Sequence, residues 1–78
     1  MSGQLIERFG LTIRRLRQTR GWSQEELAER AELNRSYVGE IERGQVVASI
    51  VTAQKLARGL GTDASSLIRY CESQQPEP

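Results

Sequence analysis

Apolar residues recur along this chain at steps of three and four, and glycines stop each run. Leu5, Ile6, Phe9, Ile13 and Leu16 form one stripe, the pattern of an amphipathic helix. Gly21 ends it, and Arg17 and Arg20 in its last turn suit the helix dipole. Ser23-Gln24-Glu25-Glu26 reads as a capping box opening a short second helix over residues 24–31, with Leu27, Ala28 and Ala31 inward. Asn34 caps a third helix over residues 35–43, stopped by Gly44. Ser49 caps a fourth that carries Ile50, Ala53, Leu56, Ala57 and Leu60 and closes at Gly61. Asp63 caps a fifth with Ala64, Leu67, Ile68 and Cys71 along one side. Residues 46–51 are β-branched enough for a strand, yet six residues beside a strong helical pattern favour a loop into helix four. The expected fold is all-α, with five helices over residues 1–72. Residues 73–78, which hold both prolines, are expected to form a disordered tail.

Composition narrows the function. At 78 residues the chain has room for one domain, and with 5% aromatic residues its core must be aliphatic. It has no histidine, which removes the usual general base and metal ligand. The single cysteine, Cys71, excludes an internal disulfide and a cysteine-based zinc site. The longest apolar run, Val46-Val47-Ala48, falls far short of the ~20 residues that span a bilayer. No charged stretch leads into an apolar run at the start, as a secretory signal requires. A cytoplasmic, non-enzymatic domain is expected, with no cofactor, metal, membrane or small-molecule ligand.

The net charge of +1 hides a segregation. Residues 1–20 carry +4, residues 21–34 carry −3, residues 35–61 carry +2 and residues 62–78 carry −2. Only Glu32-Leu33-Asn34 separates helices two and three, a spacing that suggests a helix-turn-helix. At ~100° per residue, Tyr37, Val38 and Ile41 share one side of helix three. Arg35, Ser36, Gly39, Glu40 and Arg43 fill the other. A helix that reads base edges needs this division, because the major groove is read by donors and acceptors presented on one face. The glycine on that arc would let the helix approach closely. On helix two, Gln24 lies at the N-terminus on the side of Ala28 and Ala31, while Glu25, Glu26 and Glu29 occupy the opposite arc. A phosphate can therefore meet the positive helix end and the Gln24 amide without meeting carboxylates.

These residues carry a resemblance. The run Phe9-Gly10, Ile13-Arg14, Leu16-Arg17 and Gly21-Trp22-Ser23-Gln24-Glu25-Glu26-Leu27-Ala28 is similar to the opening of Xre/Cro-type helix-turn-helix domains. So are Arg35-Ser36-Tyr37-Val38 with Ile41-Glu42-Arg43-Gly44, and Leu56-Ala57-Arg58-Gly59-Leu60-Gly61. That family includes lambdoid phage repressors and the controller proteins of restriction–modification systems. The resemblance implies a five-helix, lambda-repressor-like domain that binds double-stranded DNA, commonly as a homodimer on a two-fold operator, to regulate transcription. It implies that Arg35, Ser36 and Glu40 face base edges and that Gln24, Asn34 and Arg43 approach the backbone.

The chain departs from the family at three points. Glu32 stands at a turn position that often holds glycine, where a left-handed backbone costs ~1 kcal/mol or more. Val46-Val47-Ala48 replaces a polar, proline-containing loop and faces either DNA or a partner subunit. Glu40 puts an acid on the DNA face, implying an unusual base preference or a withdrawn side chain.

Three further expectations follow. Arg17 and Glu42 lie at the borders of their apolar stripes, and the resemblance pairs them in a salt bridge across helices one and three. Ile68, Tyr70 and Cys71 on helix five are candidates for a dimer interface, Cys71 serving either core or dimer packing ahead of redox sensing. Trp22 packs over the ends of helices one and two. The rival to DNA binding is a protein-interaction module on the same scaffold, an antitoxin or a coactivator-like adaptor.

Overall fold

Side chains that satisfy free backbone N–H groups start four of the five helices. A computed structural model describes residues 2–73. They form α1 (Ser2–Thr19), α2 (Gln24–Ala31), α3 (Arg35–Glu42), α4 (Ile50–Gly59) and α5 (Ala64–Ser73), with no strand among the described residues. Ser23 Oγ accepts from the Glu26 N–H, Asn34 Oδ1 from Ser36 and Ser49 Oγ from Thr52. Each of these three caps is worth ~1 kcal/mol. Asp63 Oδ1 accepts from the Ser66 N–H and the Ser65 hydroxyl, both at 2.8 Å. Those bonds, led by the backbone one, hold the Asp63 carboxyl below its ordinary 3.8. Residues 46–49 form a loop.

Among the described residues, four positions take a left-handed backbone. Three are glycines, Gly21, Gly44 and Gly61. The fourth is Glu32, at φ 57 and ψ 47, whose N–H closes the last turn of α2 onto Ala28 and Glu29.

The core lies where α1, α2, α3 and α4 meet, and α5 closes it against α1 and α4. Ile13, Leu27, Val38, Ile41, Leu56, Leu60 and Leu67 are fully buried there. Burying each such side chain contributes ~1.5–3 kcal/mol. Two helix glycines permit the tightest crossings. A Cβ at Gly10 would run into the Ile41 carbonyl oxygen and stand 2.8 Å from that of Glu42. One at Gly59 would stand 3.0 Å from the Ala31 nitrogen. Among the described residues no helix is long and apolar enough to cross a membrane.

Two expectations are overturned. Ser73 is not part of a tail: it is the last residue of α5, and its hydroxyl donates to the Tyr70 carbonyl. Residues 74–78 lie outside the described residues. Ile50 does not pack inward with Leu56 and Leu60; it is 84% exposed. It sits in the first turn of α4. Thr52 in the same turn is buried, so α4 already meets the core there; at ~100° per residue Ile50 falls just outside the arc of Thr52, Leu56, Ala57 and Leu60.

Candidate nucleic-acid interface

The N-terminal end of α3 stands clear of the rest of the fold. Asn34, Arg35 and Ser36 are exposed, and Asn34 is occupied as the cap through Oδ1. Glu40, one turn on, is half-buried. Behind this surface, Val38 and Ile41 are buried against the core. Tyr37 is half-buried and its hydroxyl lies 3.3 Å from Thr52 Oγ1. Thr52 also accepts from the Ser49 hydroxyl at 3.0 Å. This polar link ties α3 to the start of α4, and the sequence offered no sign of it.

The orientation of α3 is held from its other end. Arg17 Nε donates to Glu42 Oε2 at 2.7 Å and Arg17 Nη2 to Glu42 Oε1 at 3.0 Å. A third donor, Arg17 Nη1, reaches the Trp22 carbonyl at 2.8 Å. The Glu42 side chain is 2% exposed. A carboxylate so deeply buried is tolerable only with this degree of compensation. The bonds to Glu42 keep the Arg17 guanidinium protonated even more firmly than usual.

Gln24 joins the same group. Its Nε2 donates to Glu42 Oε1 at 3.1 Å, so one amide hydrogen serves the fold and one remains for another acceptor. Arg43, exposed at the end of α3, donates from Nε to Gln45 Oε1 at 3.3 Å. Gln45 was not among the residues singled out from the sequence; a lone polar residue after a glycine carries no signal of its own. Gly39 is buried, not open. The expected free surface over this glycine is instead covered by the side chains of Arg43 and Gln24.

Two guanidinium groups lie over the Trp22 ring, Arg30 at 4.1 Å and Arg20 at 5.8 Å from its centre. Arg20 also donates to the Leu60 carbonyl at 2.7 Å and the Leu16 carbonyl at 2.9 Å. It thereby pins the ends of α1 and α4 together.

Cys71 cannot form a dimer interface in this fold, because it is fully buried on the inward side of α5. Burial pushes its thiol above the ordinary 9.0, outweighing the opposing pull of the Thr12 hydroxyl and Arg8. Ile68 and Tyr70 are both exposed, but they flank the buried Leu67–Cys71 stripe on opposite sides at ~100° per residue. Only Ile68 lines the shallow apolar groove that it shares with Leu5, Ile6, Phe9, Val47 and Ile50.

An exposed polar helix end, braced by a buried ion pair behind a tight turn, defines a helix-turn-helix domain. The chain belongs to the helix-turn-helix family of transcription regulators, whose sequence pattern matches residues 13–67. It is 35% identical over 68 residues to the control protein C.MunI of Mycoplasma sp, covering 86% of this chain and 92% of that one. It is 37% identical over 65 residues to the transcriptional regulator SutR of Escherichia coli, covering 83% of this chain but 36% of SutR. The chain thus spans only about a third of that relative's length. Among solved structures it resembles the restriction–modification controller protein C.AhdI of Aeromonas hydrophila, with a TM-score of 0.76 and 45% identity over 80% of this chain and 94% of that one.

Proposed function

We propose that this domain binds double-stranded DNA in the cytoplasm as a homodimer on a two-fold operator, with α3 in the major groove, and so regulates transcription. The exposure of Arg35 and Ser36 at the start of a helix braced through Glu42 carries this reading. A guanidinium there can reach O6 and N7 of guanine together, the commonest specific contact. Glu40 can only accept, so a cytosine N4 amino group is its natural partner. Gln24, Asn34 and Arg43 have donors suited to phosphate oxygens. The names of C.MunI, C.AhdI and SutR point the same way.

The dimer contact proposed here is the groove face, not Tyr70 or Cys71. Leu5, Val47, Ile50 and Ile68 leave a contiguous apolar surface in water, and a symmetric contact would cover it twice. It would also set the two α3 helices ~34 Å apart, one turn of DNA.

Selection from a random duplex library, followed by binding across salt concentrations, tests the reading. A palindromic consensus and a steep loss of affinity with salt are expected. No retention on any duplex would favour a protein-interaction module instead. Sedimentation tests the assembly: the parent chain should dimerise and Ile50→Glu should not.

A further inference from the structure

Gly39 is a helix residue with an ordinary backbone; the positive-φ glycines are Gly21, Gly44 and Gly61. Glycine there costs helix stability, roughly 1 kcal/mol against alanine, so something other than backbone conformation must account for it. The helix glycines Gly10 and Gly59 are explained by what a Cβ would strike, which is backbone of a neighbouring helix. Gly39 differs. A Cβ there would stand 3.0 Å from Arg43 Nη1, 3.6 Å from Arg43 Cζ and 3.5 Å from Gln24 Oε1. It would meet only the ends of two side chains, both with donors suited to DNA phosphate.

We propose that Gly39 is a positioning residue for DNA binding: the bare patch it leaves on α3 seats the Arg43 guanidinium beside Gln24, so that both side chains meet one operator phosphate. This inference rests on the DNA-binding reading above. Arg43 lies one turn beyond Gly39 on the same face, and its guanidinium packs over the position that a Cβ would fill. Gln45 braces it through Nε, leaving the Nη donors for an anion. Gln24 is braced in turn by Glu42, which Arg17 holds. The two groups converge at the N-terminus of α2, whose helix dipole also favours negative charge.

The test uses the full chain with its selected operator and with unrelated duplex. Gly39→Ala should fold and melt at the same or a higher temperature, since its new methyl meets only movable side chains. It should nevertheless bind every duplex several-fold more weakly, without a changed base preference. Its salt dependence should shift toward that of Arg43→Ala, whose slope of log affinity against log salt should fall by about 0.9, one phosphate contact. In an Arg43→Ala background, Gly39→Ala should change nothing further. Gln45→Ala, far from the core, should act in the same direction and also fall silent in that background. Parent-like affinity and salt slope in Gly39→Ala would overturn the inference while leaving the DNA reading intact. So would an equal loss with and without Arg43, or a preference changed at a single base pair. If the parent chain itself showed no salt-dependent binding, the DNA reading would fall and this inference with it.

Discussion

Arg17 grips Glu42 through two parallel hydrogen bonds, 2.7 and 3.0 Å long, across the packing of α1 on α3. Glu42 passes the constraint on by accepting from Gln24 as well, so one buried carboxylate sets both the tilt of α3 and the pose of an α2 side chain. Arg17→Met removes the charge partner and leaves Glu42 buried with one neutral donor. It should destabilise the fold by ~3–5 kcal/mol. Replacing both residues with apolar ones of similar size should recover much of that loss. Urea denaturation of the single and double variants measures the coupling. A cost below ~1 kcal/mol for Arg17→Met would place the pair with surface salt bridges.

Arg35 and Glu40 should separate in a binding series across single-base operator variants. Arg35→Ala is expected to cost ~1–3 kcal/mol at one base pair and to relax the preference there. Glu40→Ala should lose discrimination while non-specific binding holds or rises, because a carboxylate near phosphates repels every sequence. Uniform weakening by Arg35→Ala would remove α3 as the reading element.

Glu32→Gly should stabilise the domain by up to ~1 kcal/mol, since the backbone at φ 57 strains any residue with a Cβ. Part of the gain is offset by the greater freedom of glycine in the unfolded chain. Thermal melting reads the sign, and because the Glu32 side chain is exposed its removal disturbs little else.

Gly10→Ala should do the opposite. Its methyl would enter the carbonyls of Ile41 and Glu42 at the end of α3, and backbone cannot swing aside as a side chain can. Overpacking of this kind costs ~1–3 kcal/mol or more. It should also loosen the Arg17–Glu42 contact and thus weaken DNA binding beyond what unfolding explains.

Asp63 gives a pH dependence whose sign is set by its lowered carboxyl. Protons bind more weakly in the folded state, so the cap stabilises above the ordinary 3.8 and its contribution fades as pH falls through the lower folded value. Asp63→Ala should therefore melt below the parent at neutral pH, and the gap should close in strong acid. A gap independent of pH would mean that the charged form is not what caps α5.

Helix boundaries and caps were legible in the sequence because they are local. Ser23, Asn34, Ser49 and Asp63 bond N–H groups two or three residues away, and no distant element changes that geometry. The inward faces of α2 and α3 were legible for the same reason, since a helix presents every third or fourth residue to one side. Periodicity does not say how far a neighbouring helix extends. Ile50 keeps the helical spacing of Leu56 and Leu60, yet α4 turns Thr52 rather than Ile50 inward in its first turn and leaves Ile50 exposed. Ile68, Tyr70 and Cys71 lie within four residues of one another, but the packing of α5 on α1 and α4 buries Cys71 and exposes the other two. Gly39 reads in sequence as open helix surface. Only the crossing of α2 over α3 brings Gln24 above it, and only then can Arg43 fold down beside that amide. Contacts between residues close in the chain follow from bond geometry, whereas those between Gln24, Gly39 and Glu42 depend on how whole helices pack.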